Sequence, residues 1–96
     1  MSVRDEVLDT AKKLINGDRD SDYGDASTAH TKIAMIWEAM TGKHFTPEQV
    51  AMMMIGLKLA RLSHDATKAD SWVDVCGYAA LGAEIADQNR VDDVFG

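Results

Sequence analysis

Cysteine, proline and surplus basic charge are all scarce in this chain, and each scarcity removes a class of protein. The single cysteine, Cys76, permits neither an internal disulfide nor a cysteine-rich zinc site, so a reducing compartment suits the sequence. With one proline, Pro47, and 46% apolar residues, nothing prevents a compact globule. The formal net charge of −6 opposes generic attraction to a phosphate backbone, which rests on surplus Lys and Arg. Long apolar runs are missing too. The opening "MSVRDEVLDTAKKL" carries charge on every turn, which argues against a signal peptide or membrane span and for a soluble cytoplasmic protein.

What is present is helical periodicity. The 96 residues suffice for one domain, 1–96, with a modest core. Residues 3–15 place Val3, Val7, Leu8, Ala11, Leu14 and Ile15 on one side, with Asp5, Asp9 and Lys12 opposite, and Asn16-Gly17 ends the run. A second helix over 26–41 has Ala29, Ile33, Ile36 and Met40 as its core stripe, with His30 and Trp37 at the border. "TPEQ" then restarts the chain, with Thr46 as N-cap, Pro47 at N1 and Gln49 closing a capping box. The helix that follows, 47–63, is apolar on both sides: Val50, Met54 and Leu57 form one stripe, and Met52, Ile55 and Leu59 the other. It is therefore expected to lie centrally, enclosed by the domain and by a second subunit. A fourth helix, 68–89, has an apolar face of Trp72, Val75, Cys76, Ala79, Ala83 and Ala86, and another face of Asp70, Asp74, Gly77, Leu81 and Glu84. The tail holds Val94 and Phe95, which could dock. Without repeats or strand pattern, the expected fold is all-α, a four-helix bundle completed by homo-oligomerisation.

Candidate chemistry concentrates in charged residues near apolar stripes. Asp70 and Asp74 lie one turn apart, so both carboxylates can reach one hard cation such as Mg²⁺. The alternative is that Asp70 complements the helix dipole while Asp74 pairs with a base. Arg61 continues the Val50, Met54, Leu57 stripe, with Lys58 beside it, so Arg61 is expected to point inward and to need a carboxylate or a ligand phosphate. The segment "NGDRDSDYGD" offers Arg19 for phosphate and Tyr23 for stacking or hydrogen bonding; a structural turn is the alternative. Its alternating Asp do not make a calcium loop, because Tyr23 and Ala29 stand where Gly and Glu are required. His30 and Trp37 border the second helix's core, either as packed boundary residues or as ligand contacts. Cys76, on an apolar face, reads as a small hydrophobe rather than a nucleophile. No P-loop, HExxH or Ser/His/Asp arrangement is present, and no catalytic residue is assigned.

The combination "LINGDRDSDYGD", "HTKIAMIW", "MMMIGLKLARL" and "KADSWVDVCGYAALG" resembles a family of small phage-encoded all-helical proteins over nearly the whole chain. That resemblance implies a bacteriophage protein acting in the host cytoplasm and brings no reaction with it. More distantly, four helices with acids on the last is similar to the MazG-like nucleoside triphosphate pyrophosphohydrolases. That similarity implies a helical oligomer in which carboxylate-held Mg²⁺ promotes attack on a nucleotide's phosphate chain. Their Glu-Glu-x-x-Glu motif is absent, and Asp70 to Asp74 is a looser counterpart of their Glu-x-x-Asp. The expectation from residues and resemblance together is a phosphorylated nucleotide in a polar cleft. Asp70 and Asp74 would hold Mg²⁺, Lys58, Arg61 and Arg19 the phosphates, and Tyr23 or Trp37 the base. The alternative is a non-enzymatic module that binds a host protein or sequesters a nucleotide, with Lys58, Arg61 and Asp74 as structural ion pairs.

Overall fold

The structure, a computed structural model, describes residues 2–17 and 26–88. They form four helices: α1 (Val3–Asn16), α2 (Ala26–Thr41), α3 (Pro47–His64) and α4 (Ala69–Gln88), with no strand among the described residues. Each start has a local cause. Ser2 accepts from the Asp5 N–H at the head of α1. At α3 the expected capping box forms, the Thr46 hydroxyl accepting from the Gln49 N–H while the Gln49 side chain accepts from the Thr46 N–H. These bonds satisfy amides that the first turn leaves without helical partners. Gly17 ends α1 without a left-handed φ; a Cβ there would stand 2.8 Å from the Lys13 carbonyl oxygen. Gly42, by contrast, follows α2 at φ 73°, where a side chain would be strained.

The centre of the molecule is α4, not α3, because α4 packs against each of the other three helices. Small residues let it do so. A Cβ on Gly82 would sit 3.0 Å from the Ala51 Cβ of α3, and one on Gly77 would sit 3.4 Å from Ile15 Cγ2 of α1. The α4 face turned inward carries Ser71, Val73, Gly77 and Ile85 as buried residues, with Asp74, Tyr78 and Leu81 half-buried. The face expected to be the core stripe is only partly covered: Val75 and Cys76 are half-buried, but Ala79, Ala83 and Ala86 are exposed and Trp72 is 46% exposed. Alanines offer little area to remove from water, whereas Val73, Leu81 and Ile85 offer more.

The same rotation corrects α2 and α3. On α2, His30 and Ala34 are buried and Trp37 half-buried; of the expected stripe Ala29 and Ile33 are half-buried, while Ile36 and Met40 are exposed. On α3, a single stripe of Val50, Ala51 and Leu62, flanked by Met54, Ile55 and Lys58, faces the domain. Met52, Met53, Leu57 and Leu59 face outward, each about half exposed, so the helix is not enclosed on both sides within one chain. In α1 only Ala11 is buried, with Val7 and Ile15 half-buried; Val3, Leu8 and Leu14 stay exposed.

The connection from α3 to α4 is a short turn organised by Asp65. Its N–H donates to the Arg61 carbonyl, and its carboxylate accepts from the Thr67 hydroxyl and the Thr67 N–H. Trp72 closes the turn by donating its indole N–H to the Ala66 carbonyl at 2.9 Å. The Thr67 hydroxyl first, and its N–H second, hold the Asp65 carboxyl below its ordinary pKa. A folded-state pKa below the unfolded one means that the turn's contribution is present above the unfolded value and disappears as pH falls through the folded one. Removing the hydroxyl with Thr67→Ala is expected to move the Asp65 titration part of the way back toward the ordinary carboxylate value, as read by NMR.

Candidate functional site

The expected charged constellation is only partly assembled. Lys58 of α3 and Asp74 of α4 meet across the inter-helix contact, Nζ to Oδ2 at 3.1 Å, with side chains only 17% and 19% exposed. Both are lifted toward the interior by the close approach of α3 and α4 described above. Arg61, expected to point inward, is exposed and makes no ion pair among the described residues. Its place one turn beyond Lys58 puts it near the edge of the inward stripe, where a long side chain reaches water easily. Asp70 is also exposed. Arg19 and Tyr23 lie outside the described residues.

His30 and Trp37 sit on the inward side of α2. His30 is 6% exposed; its Nδ1 donates to the Ala26 carbonyl at 2.8 Å, and its ring meets Tyr78 of α4 edge-on at 6.3 Å. Trp37 meets Phe45 edge-on at 5.8 Å. Both rings thus have structural partners within the fold. Among the described residues no group of three or more His, Cys, Asp or Glu is placed to hold a metal ion. Asp70 and Asp74 remain two carboxylates on adjacent turns, one of them held by Lys58.

Concavities among the described residues include a polar and an apolar one. The polar one, between Asn16, Ser27, Glu84 and Gln88, is about 120 Å³, small beside the roughly 300 Å³ at which small-molecule sites begin. The other is an open apolar groove of about 420 Å³ where the N-terminal halves of α1 and α4 run side by side. Val3, Val7 and Leu8 supply one wall, Trp72 and Cys76 the other, and Arg4 is the charged side chain on its lining. From the sequence, Val3, Val7 and Leu8 look like core and Cys76 like a buried hydrophobe. The missed signal is the turn before α4: by engaging Ala66, Trp72 is held at the groove's rim instead of packing inward. No helix among the described residues is long and apolar enough to cross a membrane.

The family described as "Domain of unknown function (DUF6378)" matches residues 6–86. The chain is 49% identical over 76 residues to the "Gene 55 protein" of Mycobacterium phage L5, covering 78% of this chain and 49% of that protein. It is 30% identical over 86 residues to the "Gene 55 protein" of Mycobacterium phage D29, covering 90% of this chain and 57% of that one. The chain thus spans about half the length of these relatives. No solved structure matches. Nothing in these matches connects the chain to MazG-like enzymes.

Proposed function

The chain belongs to the DUF6378 family, and we propose, from that footing and the geometry, that it is a phage accessory protein acting by association rather than by turning over a nucleotide. The observation that supports this reading is a division of labour on the surface. The charges best placed to hold a phosphate or metal, Lys58 and Asp74, already satisfy each other, while the roomier of the two concavities described above is apolar. An open groove walled by Val3, Val7, Leu8, Trp72 and Cys76 suits an apolar side chain from a host protein in the cytoplasm.

The nucleotide reading has one supporting feature, the Asp70 and Asp74 carboxylates on adjacent turns of α4. In it they would hold Mg²⁺, with Lys58, Arg61 and Arg19 taking phosphate oxygens and Tyr23, His30 or Trp37 contacting the nucleoside.

Melting temperature separates the two, because a ligand of the native state stabilises it by mass action. The association reading expects no shift from nucleoside mono-, di- or triphosphates or cyclic dinucleotides, with or without Mg²⁺. It also expects an apolar fluorescent dye to bind, and Leu8→Asp to weaken that binding about tenfold without changing the melt. A Mg²⁺-dependent shift with triphosphates, lost in Asp74→Asn, would replace it with the nucleotide reading.

A further inference from the structure

We propose that the outward face of α3 is where two copies of this chain meet, as an antiparallel α3 to α3 pair with its two-fold axis beside Gly56. This pairing is independent of whatever occupies the α1 and α4 groove, and shares no residue with it.

The face is defined by what it lacks. Between Val50 and Ala60 the sequence has one charged residue, Lys58, and Lys58 is turned inward to Asp74. Its ammonium is thus withdrawn from the outer surface, leaving Met52, Met53, Gly56, Leu57, Leu59 and Ala60 facing water with no charge among them. The four large side chains are 48–59% exposed. A solvated helix normally has the opposite arrangement, with charge outside and apolar groups inside. Gly56 lies in the middle of this face, and a Cβ there would meet nothing within 4 Å. Among the described residues no contact requires a glycine at that position.

Charge identifies the occupant. A chain of net charge −6 repels its own copy wherever acids cluster, so a self-contact needs a surface without them. The outer face of α3 is such a surface, and it is self-complementary under a two-fold axis. At 3.6 residues per turn, Met52 and Leu59 fall along one edge, and Met53 and Leu57 along the other, with Gly56 between. Rotation about an axis beside Gly56 sets Met52 of one copy against Leu59 of the other, and the reverse. It brings Met53 against the stretch from Leu57 to Ala60. The two glycines meet at the axis, where absent side chains let the backbones approach. An isologous contact of this kind closes on itself and leaves no open end.

The size of the face sets the strength of the pair. Eighteen residues make a helix about 27 Å long, and one helix face of that length is smaller than the roughly 800 Å² per partner of a standard interface. A reversible monomer to dimer equilibrium follows.

Sedimentation velocity on the whole chain, from about 1 μM to about 1 mM, reads that equilibrium over the range where affinities of this class fall. The expected result is a concentration-dependent shift from monomer to dimer. Leu59→Glu and Met52→Lys should each weaken pairing at least about tenfold, while an equimolar mixture of the two variants pairs again. Gly56→Leu provides a second check, since Gly56 is exposed and an added Cβ meets nothing within 4 Å among the described residues, whereas across the axis the side chain would collide. It should keep or raise the helix signal while abolishing the dimer. A wild-type monomer throughout the range overturns the proposal, as does a dimer indifferent to Leu59→Glu and Gly56→Leu.

Discussion

Ile85→Ala is expected to remove about 2–5 kcal/mol of folding stability, and a change of that size lowers the melting temperature by at least about 10 °C in a domain of this length. Ile85 is 1% exposed and, with Val50 at 0%, is one of two large side chains among the described residues fully removed from water. The rest of the buried apolar set is Ala11, Ala34, Ala51, Leu62 and Val73, three of which are alanines. So small a core has few neighbours able to move into the space an isoleucine leaves. The loss would be a large share of the roughly 5–15 kcal/mol that such domains have in total. Ile36→Ala is the control. At 57% exposed it should change stability by no more than about 0.5 kcal/mol, although helical spacing alone places Ile36 in the core. Thermal melts followed by circular dichroism measure both, and equal losses would mean that the α2 face has been assigned wrongly.

The second large effect concerns Lys58 and Asp74. Asp74→Ala leaves the Lys58 ammonium, on a side chain 17% exposed, without its counter-charge, and the expected loss is about 1–3 kcal/mol, below the 3–5 kcal/mol of a fully buried pair because water still reaches the site. Lys58→Ala should cost a similar amount. The double substitution should cost less than the sum, with a coupling energy on the order of 1 kcal/mol in the absence of any ligand. Replacing both with apolar residues of like shape, Lys58→Met with Asp74→Leu, should be nearly neutral. If these residues instead served a bound phosphate or metal, the coupling would vanish in the free protein and appear only on adding ligand. Urea titration of the four proteins of the cycle decides between these outcomes.

The contrast between Ile85 and Ile36 shows what periodicity reveals and what it hides. Helix number and boundaries were legible: 26–41 is found as expected, 47–63 extends by one residue, and the capping box at Thr46 forms. Local signals determine such features, and they operate within a turn or two of the residues that carry them. The orientation of each helix was less legible, because spacing groups side chains into faces without saying which face another helix will cover. On α4 the buried face runs between the two expected ones: Val73 and Ile85, assigned to neither, are buried with Gly77, while Asp70 and Glu84 stay exposed and Val75 and Cys76 are half-buried. The deciding facts, Gly82 against Ala51 and Gly77 against Ile15, involve residues distant in sequence. On α3, apolar residues all round gave no contrast from which to choose.

The candidate site was legible to the same degree. Asp74 pairing with a base of α3 was one of the two alternatives in the sequence, and the base proves to be Lys58. Arg61 followed the apolar spacing in projection yet is exposed, since a long side chain at the edge of a stripe takes whichever side has water. The α1 and α4 groove had no motif to announce it. It exists because two helices from opposite ends of the chain lie side by side while Trp72 is held out at the rim.

That last arrangement also governs the order in which the molecule comes apart. The two helices in most extensive contact, α3 and α4, are neighbours in sequence and joined by a short turn, so their pairing closes a small loop at little entropic expense. The contact of α1 with α4 bridges more than half the chain and is anchored by Ala11 as the one buried residue of α1. Amides of α1 should therefore exchange with solvent through a partial opening that leaves the α3 and α4 hairpin closed. In that opened state Gly77 and Cys76 of α4 lose the cover α1 gives them, which makes the first helix the movable part of this fold.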